Sequence, residues 1–587
     1  MFDFTDEQNE FLLANGNVVL HACPGSGKTT VVAKKLIQYL ETWDKLHQGV
    51  AVLSFTNVAS QEIEKQTQEL IPTGFAIEYP HYVGTLDSFI NSFLLLRFGY
   101  LLFEKPQRPT IAFKDLYSLP FRYWRRECHR KGCVDNMSDF RWDKDGNLLR
   151  NKIPVTCASN GAYGPPCFQY KKMLLNKGLV FQSEVSSLAF WILRDYPEIA
   201  NALATRFPVI ILDEAQDTSV EQMAILDLIN QAGTESMFLV GDPDQSIYEW
   251  RNATPECFIE KMNSEKWLTM PLTANFRSSQ MICNATKLFS NTLKDKEPSN
   301  AKGTCAGYPQ KPILLFYEGN ISGCRNSVIE KFEEICSDNA IPLDSSNIAI
   351  VTRSRVHSDT DITGLWKSHE IEFLAQSAYE WSVGSRKKAY ELCEKFLFGL
   401  TINEYKNIQK TLEIDVEAKM SYDVWRSMVI DLLINLPPCN LPIGDWIKQG
   451  EIVVTTICTK YGLAPISGKT FSNIVKIKSR DKAVPHFKSI PLNNYFESKQ
   501  KSKCTISSVH GVKGETYDAL MLIVESRTGQ TITPKFLNED PLDQELMRIA
   551  YVAMTRPRKL LVVAMPKIAS RTTHARFPVS SWDYINI

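Results

Sequence analysis

At 587 residues and 44% apolar content, the chain is long enough for about three or four globular domains, and no stretch reads as low-complexity. Lysine plus arginine equals aspartate plus glutamate at 66 each, which excludes a global basic field, so any nucleic-acid contact must come from local basic patches and aromatic platforms. No run of about 18 apolar residues predicts a membrane span; the acidic start MFDFTDEQ does not read as a secretion signal, and the scattered cysteines fit a reducing, cytoplasmic setting.

Near the N-terminus, Asn17 to Ala22 predicts a short buried strand and Lys28 to Trp43 an amphipathic helix. Between them lies a cradle made of Ala22, Cys23, Pro24, Gly25, Ser26 and Gly27, leading into Lys28, Thr29 and Thr30. Small residues there let backbone N–H groups wrap a polyphosphate at a helix N-terminus. Lys28 then reaches the β- and γ-phosphates, and the Thr29 hydroxyl holds Mg²⁺, so the chain is expected to bind a nucleoside triphosphate. Ala22 stands where the strict pattern has glycine.

Further along, Cys128, Cys133, Cys157 and Cys167 fall close together, as a zinc or iron–sulfur site or as ordinary thiols; their spacing fits no ligand pattern. Phe121 to Lys131, FRYWRRECHRK, is a basic stretch, either a solvated helix face or a phosphate contact. Phe207 to Asp217, FPVIILDEAQD, reads as a strand buried on both faces and ending in acids. Asp213 suits the Mg²⁺ shell, and Glu214 suits a base that orients the attacking water.

Met237 to Ala253 then places a strand before a loop bearing Gln245, Tyr248, Trp250 and Arg251. LTANFRSS follows at Leu272 to Ser279, SSVHGVKGETYDAL at Ser507 to Leu520, and ELMRIAYVAMTRPRKLLVV at Glu545 to Val563. With FTDEQ at the N-terminus, SFTNVAS from Ser54 and GTLDSF from Gly84, this ordered set resembles the superfamily-one helicases of the UvrD, Rep and PcrA type.

The resemblance implies an α/β fold: two RecA-like parallel-sheet motor domains with two mainly helical inserted domains. The motifs put the first motor domain at 1–85 and 206–270, and the first insert at 86–205. The second motor domain takes 271–379 and 504–587, and the second insert 380–503, whose end is basic and irregular. Strands are expected at PILLFY from Pro312, NIAIVTRS from Asn347, DALMLIV and KLLVVAM.

The resemblance also implies roles. Gln8 would read the adenine edge and Phe276 stack on its face, Gln245 would sense the γ-phosphate, and Arg277 and Arg556 would act as arginine fingers. Phe55, Thr56, Asn57, Tyr248, Trp250 and Arg251 would meet single-stranded DNA, with bases stacked on the aromatics. Two positions depart from the family. Lys513-Gly514 is followed by Glu515-Thr516, so Glu515 would hold the ATP ribose from a shifted place, and Asp87 stands where histidine is common.

The compact build and the TLDSF variant resemble the helicase-like subunit of the Gabija anti-phage system. That resemblance implies a separate nuclease partner of the overcoming-lysogenization-defect type. The implied activity is a DNA-dependent ATPase moving 3′ to 5′ on single strands, in repair or anti-phage defence. The alternative is a sensor subunit whose hydrolysis reports DNA ends to a nuclease with little unwinding. An RNA-directed motor fits the motif set less well.

Overall fold

The computed structural model describes residues 4–70, 77–112, 139–150, 152–155, 166–319, 321–353, 369–401, 422–463, 488–500, 504–525, 532–567 and 575–587. The chain forms two compact units. One comprises Met1–Leu102, Val185–Val356 and Lys503–Ile587; the other comprises Phe103–Glu184 and His357–Ser502.

The first unit contains two six-stranded sheets, and every strand pair in them is parallel. Strands β1 (Asn17–Ala22), β2 (Val50–Ser54), β3 (Tyr82–Thr85), β4 (Val209–Leu212), β5 (Ser236–Gly241) and β6 (Leu268–Leu272) build one sheet in the order β6-β1-β5-β4-β2-β3. Strands β7 (Ile313–Tyr317), β8 (Ile348–Thr352), β9 (Thr505–Ser508), β10 (Tyr517–Ile523), β11 (Pro557–Pro566) and β12 (Asp583–Asn586) build the other, in the order β9-β8-β10-β11-β7-β12.

Apolar runs such as VAVL in β2, VIIL in β4 and ALMLI in β10 are buried at every position, because helices cover both faces of such sheets. The expected strands at PILLFY, NIAIVTRS, DALMLIV and KLLVVAM are all present. Strand β6 pairs with β1 from Val18↔Leu268 to Ala22↔Leu272, so a division at residue 270 cuts through an edge strand of the first sheet. Beyond it, Ala274–Asn275 pairs with Asn300–Ala301 in a separate two-stranded ribbon.

Three helices of this unit matter for the site. Helix α1 (Asp6–Leu13) precedes β1, α2 (Lys28–Thr42) follows it, and α3 (Asn57–Leu70) follows β2. A fourth, α4 (Glu545–Met554), is buried from Met547 to Met554, Arg548 included, and precedes β11.

The second unit holds the described residues of 103–184 and 357–502; residues 86–102 and 185–205, expected in the first insert, belong to the first unit, and residues 369–379, expected in the second motor domain, belong to the second. In Phe103–Glu184, Thr110–Ala112 pairs with Leu179–Phe181, and Phe140–Trp142, Leu148–Arg150 and Ile153–Pro154 form a three-stranded antiparallel sheet beside helix Pro166–Asn176. These short strands were not expected in a mainly helical insert; at two or three residues each, they are too short to register as a period-two pattern. The later part is helical where described: His369–Ser382, Arg386–Thr401, Tyr422–Asn435, Ile443–Lys460 and Leu492–Gln500. Ile371, Leu374, Ala375 and Ala378 show the spacing that packs one helix face, and they share a core with Phe396, Trp425, Trp446 and Tyr495. Among the described residues no helix is long and apolar enough to cross a membrane.

Candidate active site and nucleic-acid interface

The cradle forms where β1 ends. Gly25 and Gly27 have φ of 72° and 79°, left-handed values that let the loop turn its N–H groups inward before α2 begins at Lys28. The Lys28 ammonium donates back to the Ala22 carbonyl at 3.4 Å, and the buried Ser26 hydroxyl has no hydrogen-bond partner among the described residues. A lysine folded onto its own loop and an orphaned buried hydroxyl fit a polyphosphate. The Cys23 thiol lies against the Ala274 carbonyl at 3.5 Å, and burial pushes its pKa up to about 11, so it packs rather than reacts. Thr30 is half-buried in the first turn of α2.

Asp213 and Glu214 follow β4. The Thr29 hydroxyl donates to Asp213 Oδ2 at 3.4 Å, pairing hard oxygen ligands of the kind Mg²⁺ takes. Burial, then the neighbouring Glu214, pushes the Asp213 carboxyl up to about 7, as suits a group built to face a cation. Glu214 sits at φ 55°, a left-handed conformation rare for a side chain of this size, which aims its carboxylate into the site. Burial would raise its pKa, but Lys513, Lys28, the Gln216 amide and Arg556 together hold it down to about 2.

Residues from the second sheet's half close over these groups. The Phe276 N–H donates to the Gly25 carbonyl at 2.8 Å. A Cβ on Gly25 would stand 2.6 Å from Asn275 Oδ1 and 2.8 Å from Arg277 Cβ, so this segment rests on the cradle itself. Arg277 donates to the Thr555 carbonyl at 3.1 Å. Arg556 donates to Gln245 Oε1 at 2.6 Å, and the Gln245 amide donates to Asp242 Oδ2 at 2.8 Å. Burial and the adjacent Arg556 lower the Arg277 pKa to about 9, and burial lowers that of Arg556 as well. The half-buried Arg277 and the buried Arg556 thus bring positive charge to the Glu214 side of the cradle, as suits an anionic ligand.

The amide of Gln8 is fixed at both ends. Its oxygen accepts from the Thr5 N–H at 2.9 Å, and its Nε2 donates to the Ser26 carbonyl at 3.1 Å. One lone pair and one N–H remain, the complement of an adenine edge. Glu515 is exposed in the turn after Val512, and no described hydrogen bond joins it to the cradle.

The aromatic candidates gather on one patch. The Phe55 and Tyr248 rings lie 5.0 Å apart at 32°, and the Tyr248 and Trp250 rings 6.3 Å apart. Arg251 sits 4.8 Å from the Trp250 ring and 6.0 Å from Phe55. Trp250 is 62% exposed, whereas Tyr248 is half-buried between Phe55 and the Lys513 ammonium, 4.6 Å from its ring. Tyr248 therefore backs the patch more than it fronts it. The Thr56 hydroxyl caps α3 by accepting from the Ala59 N–H at 3.2 Å, which leaves Asn57 exposed at the first turn. Asp87 accepts from the Gln222 amide at 2.8 Å.

Sequence reasoning missed the group that joins the patch to the carboxylates after β4. Lys513 pairs with Asp217 at 2.5 Å, lies 3.9 Å from Glu214 Oε2, and donates to the Gln245 carbonyl at 3.1 Å. Arg548 likewise donates to the Ser246 carbonyl at 2.7 Å and pairs with Glu249. Both are ordinary basic residues in sequence, some 300 positions from their partners, and only their motif membership marks them.

Of the four clustered cysteines, Cys167 is buried, while Cys128, Cys133 and Cys157 lie outside the described residues. The basic stretch 121–131 also lies outside them, as does most of 475–503.

Against known proteins, residues 4–119 and 166–266 match the UvrD/REP helicase N-terminal domain, and residues 469–567 the UvrD-like helicase C-terminal domain. The chain is 28% identical over 455 residues to Gabija protein GajB of Bacillus cereus (strain VD045), spanning 73% of this chain and 78% of that protein. It is 22% identical over 633 residues to the ATP-dependent DNA helicase Rep of Buchnera aphidicola subsp. Schizaphis graminum, spanning 95% and 92%. To the ATP-dependent DNA helicase SRS2 of Saccharomyces cerevisiae it is 27% identical over 295 residues, 46% of this chain and 25% of that one.

Proposed function

The chain belongs to the UvrD/Rep-type superfamily-one DNA helicases, ATP hydrolases by family, and we propose that it uses ATP to move 3′ to 5′ along single-stranded DNA. The observation that carries this reading is the composite site, in which Arg556 meets Gln245 across two halves of the chain beside the cradle.

In the proposed cycle, the loop N–H groups and Lys28 bind the triphosphate, and Gln8 and Phe276 orient the base. Thr29 and Asp213 would hold Mg²⁺, which when bound would screen the phosphate charge. Glu214 orients the attacking water. Arg277 and Arg556 stabilise the charge that builds in the transition state. Each cycle is linked to the Phe55–Trp250 patch through Lys513, which touches Tyr248, Gln245 and Asp217 at once.

Single-turnover translocation on oligonucleotides labelled at either end tests the direction: arrival at the 5′ end supports the reading, and arrival at the 3′ end overturns it. Glu214→Gln should bind ATP and abolish DNA-stimulated hydrolysis, and Lys28→Ala should abolish it as well; near-normal turnover in either removes the catalytic assignment.

The similarity to Gabija protein GajB favours a second reading, in which hydrolysis regulates a partner nuclease in anti-phage defence and duplex unwinding is slight. Strand separation by the purified chain separates the two, because a motor unwinds alone and a sensor does not.

A further inference from the structure

The helix that presents Gln8 spans only Asp6–Leu13, too short to hold itself in water. A capping box between Thr5 and Gln8 closes its first turn, but its last turn carries no basic residue. Its C-terminal carbonyls are met from outside. Lys35, on α2, donates from Nζ to the Leu12 carbonyl at 2.9 Å and the Ala14 carbonyl at 2.6 Å. The ammonium also lies 4.8 Å from the ring centroid of Phe238, 5.4 Å from Tyr39 and 5.9 Å from Phe11, which itself belongs to α1.

Lys35 is 3% exposed, and burial lowers its pKa to about 8. A buried ammonium is costly, and an apolar side chain would suit these aromatic walls. What an apolar side chain cannot do is satisfy two carbonyls at a helix end, where a cation also complements the dipole. Lys35 stands two turns, or about 10 Å, along the same rod from Lys28. One rigid helix therefore holds the phosphate-binding lysine at its start and the anchor of α1 further along.

We propose that Lys35 is a positioning residue for nucleobase selection: it clamps α1 to α2 and so holds the Gln8 amide at a fixed height above the phosphate cradle. The proposal rests on the reading of Gln8 as the base-recognising group. With its oxygen tied to Thr5 and its Nε2 to Ser26, the amide cannot flip, so its remaining acceptor and donor suit adenine and oppose guanine. Once α1 loosens, that orientation is lost and the selection goes with it.

The test compares kcat/KM for ATP and GTP in the full chain with DNA present, for wild type, Gln8→Ala, Lys35→Met and Lys35→Arg. The proposal expects Lys35→Met to raise the ATP KM about tenfold, the scale of one or two lost hydrogen bonds. Its kcat at saturation should stay within about twofold, because Lys35 touches none of the groups placed at the phosphates. The ATP:GTP ratio should fall to the Gln8→Ala level, with no further fall in the double variant, and Lys35→Arg should restore most of it.

If Lys35→Met keeps the wild-type ratio while Gln8→Ala loses it, Lys35 is only a core cap and the proposal fails alone. If Gln8→Ala itself keeps the ratio, the reading of Gln8 fails and takes the proposal with it. Should Lys35→Met not fold, Lys35→Gln retains donors without the charge; an intermediate ratio supports the clamp and a wild-type ratio overturns it.

Discussion

Replacing Trp250 with alanine separates a DNA platform from an ordinary packed aromatic. At 62% exposure the ring keeps roughly 100 Å² covered, about 2.5 kcal/mol of burial. Compactness of the unfolded chain lowers that further. A fully buried tryptophan would cost about 3–5 kcal/mol on the same change. Stacking of one base is worth about 1–3 kcal/mol, a five- to 150-fold loss of single-strand affinity. Fluorescence anisotropy with a labelled oligonucleotide reads the affinity, and a thermal melt of the same preparation reads the stability. The expected outcome is a large loss of DNA binding, a small shift in Tm and unchanged basal ATP hydrolysis. A large fall in Tm with normal DNA affinity per folded molecule would refute the stacking role and remove Trp250 from the DNA path.

Arg556→Ala should lower kcat by about three orders of magnitude while leaving ATP affinity within a few-fold, because Arg556 meets Gln245 beside the site of transition-state charge; equal losses in both quantities would make it a ground-state or structural group. Gly25→Ala should abolish nucleotide binding, since a Cβ there is strained at φ 72° and stands 2.6 Å from Asn275 Oδ1; retained binding of a fluorescent ATP analogue would contradict that close approach. In the second unit, Lys171 and Glu184 form a buried pair at 2.7 Å with side chains 1% and 2% exposed. Lys171→Met should destabilise that unit by about 3–5 kcal/mol by stranding the carboxylate. Adding Glu184→Gln, which keeps an acceptor for the Phe181 N–H, should recover much of the loss, and a single variant that melts like wild type would show the pair to be dispensable.

The sequence alone determined the elements whose physics is local. The cradle could be read because glycines at Gly25 and Gly27, a preceding apolar strand and a following helix are all consecutive, and left-handed turns need glycine. The parallel strands could be read because burial on both faces writes unbroken apolar runs such as VIIL and ALMLI. Asp213 and Glu214 were marked by their place at a strand end. Only the tertiary structure decided what crosses the chain. Nothing near Lys513 announces Asp217 and Tyr248, nothing near Arg556 announces Gln245, and Lys35 reads as one more lysine on an amphipathic helix. Assignment of β6 to the first sheet was likewise hidden, since an edge strand exposed along most of its length carries little apolar signal. Periodicity reports which face a residue buries, but not its partner; pairing a buried charge with a carboxylate or carbonyl hundreds of residues away is a property of the folded topology.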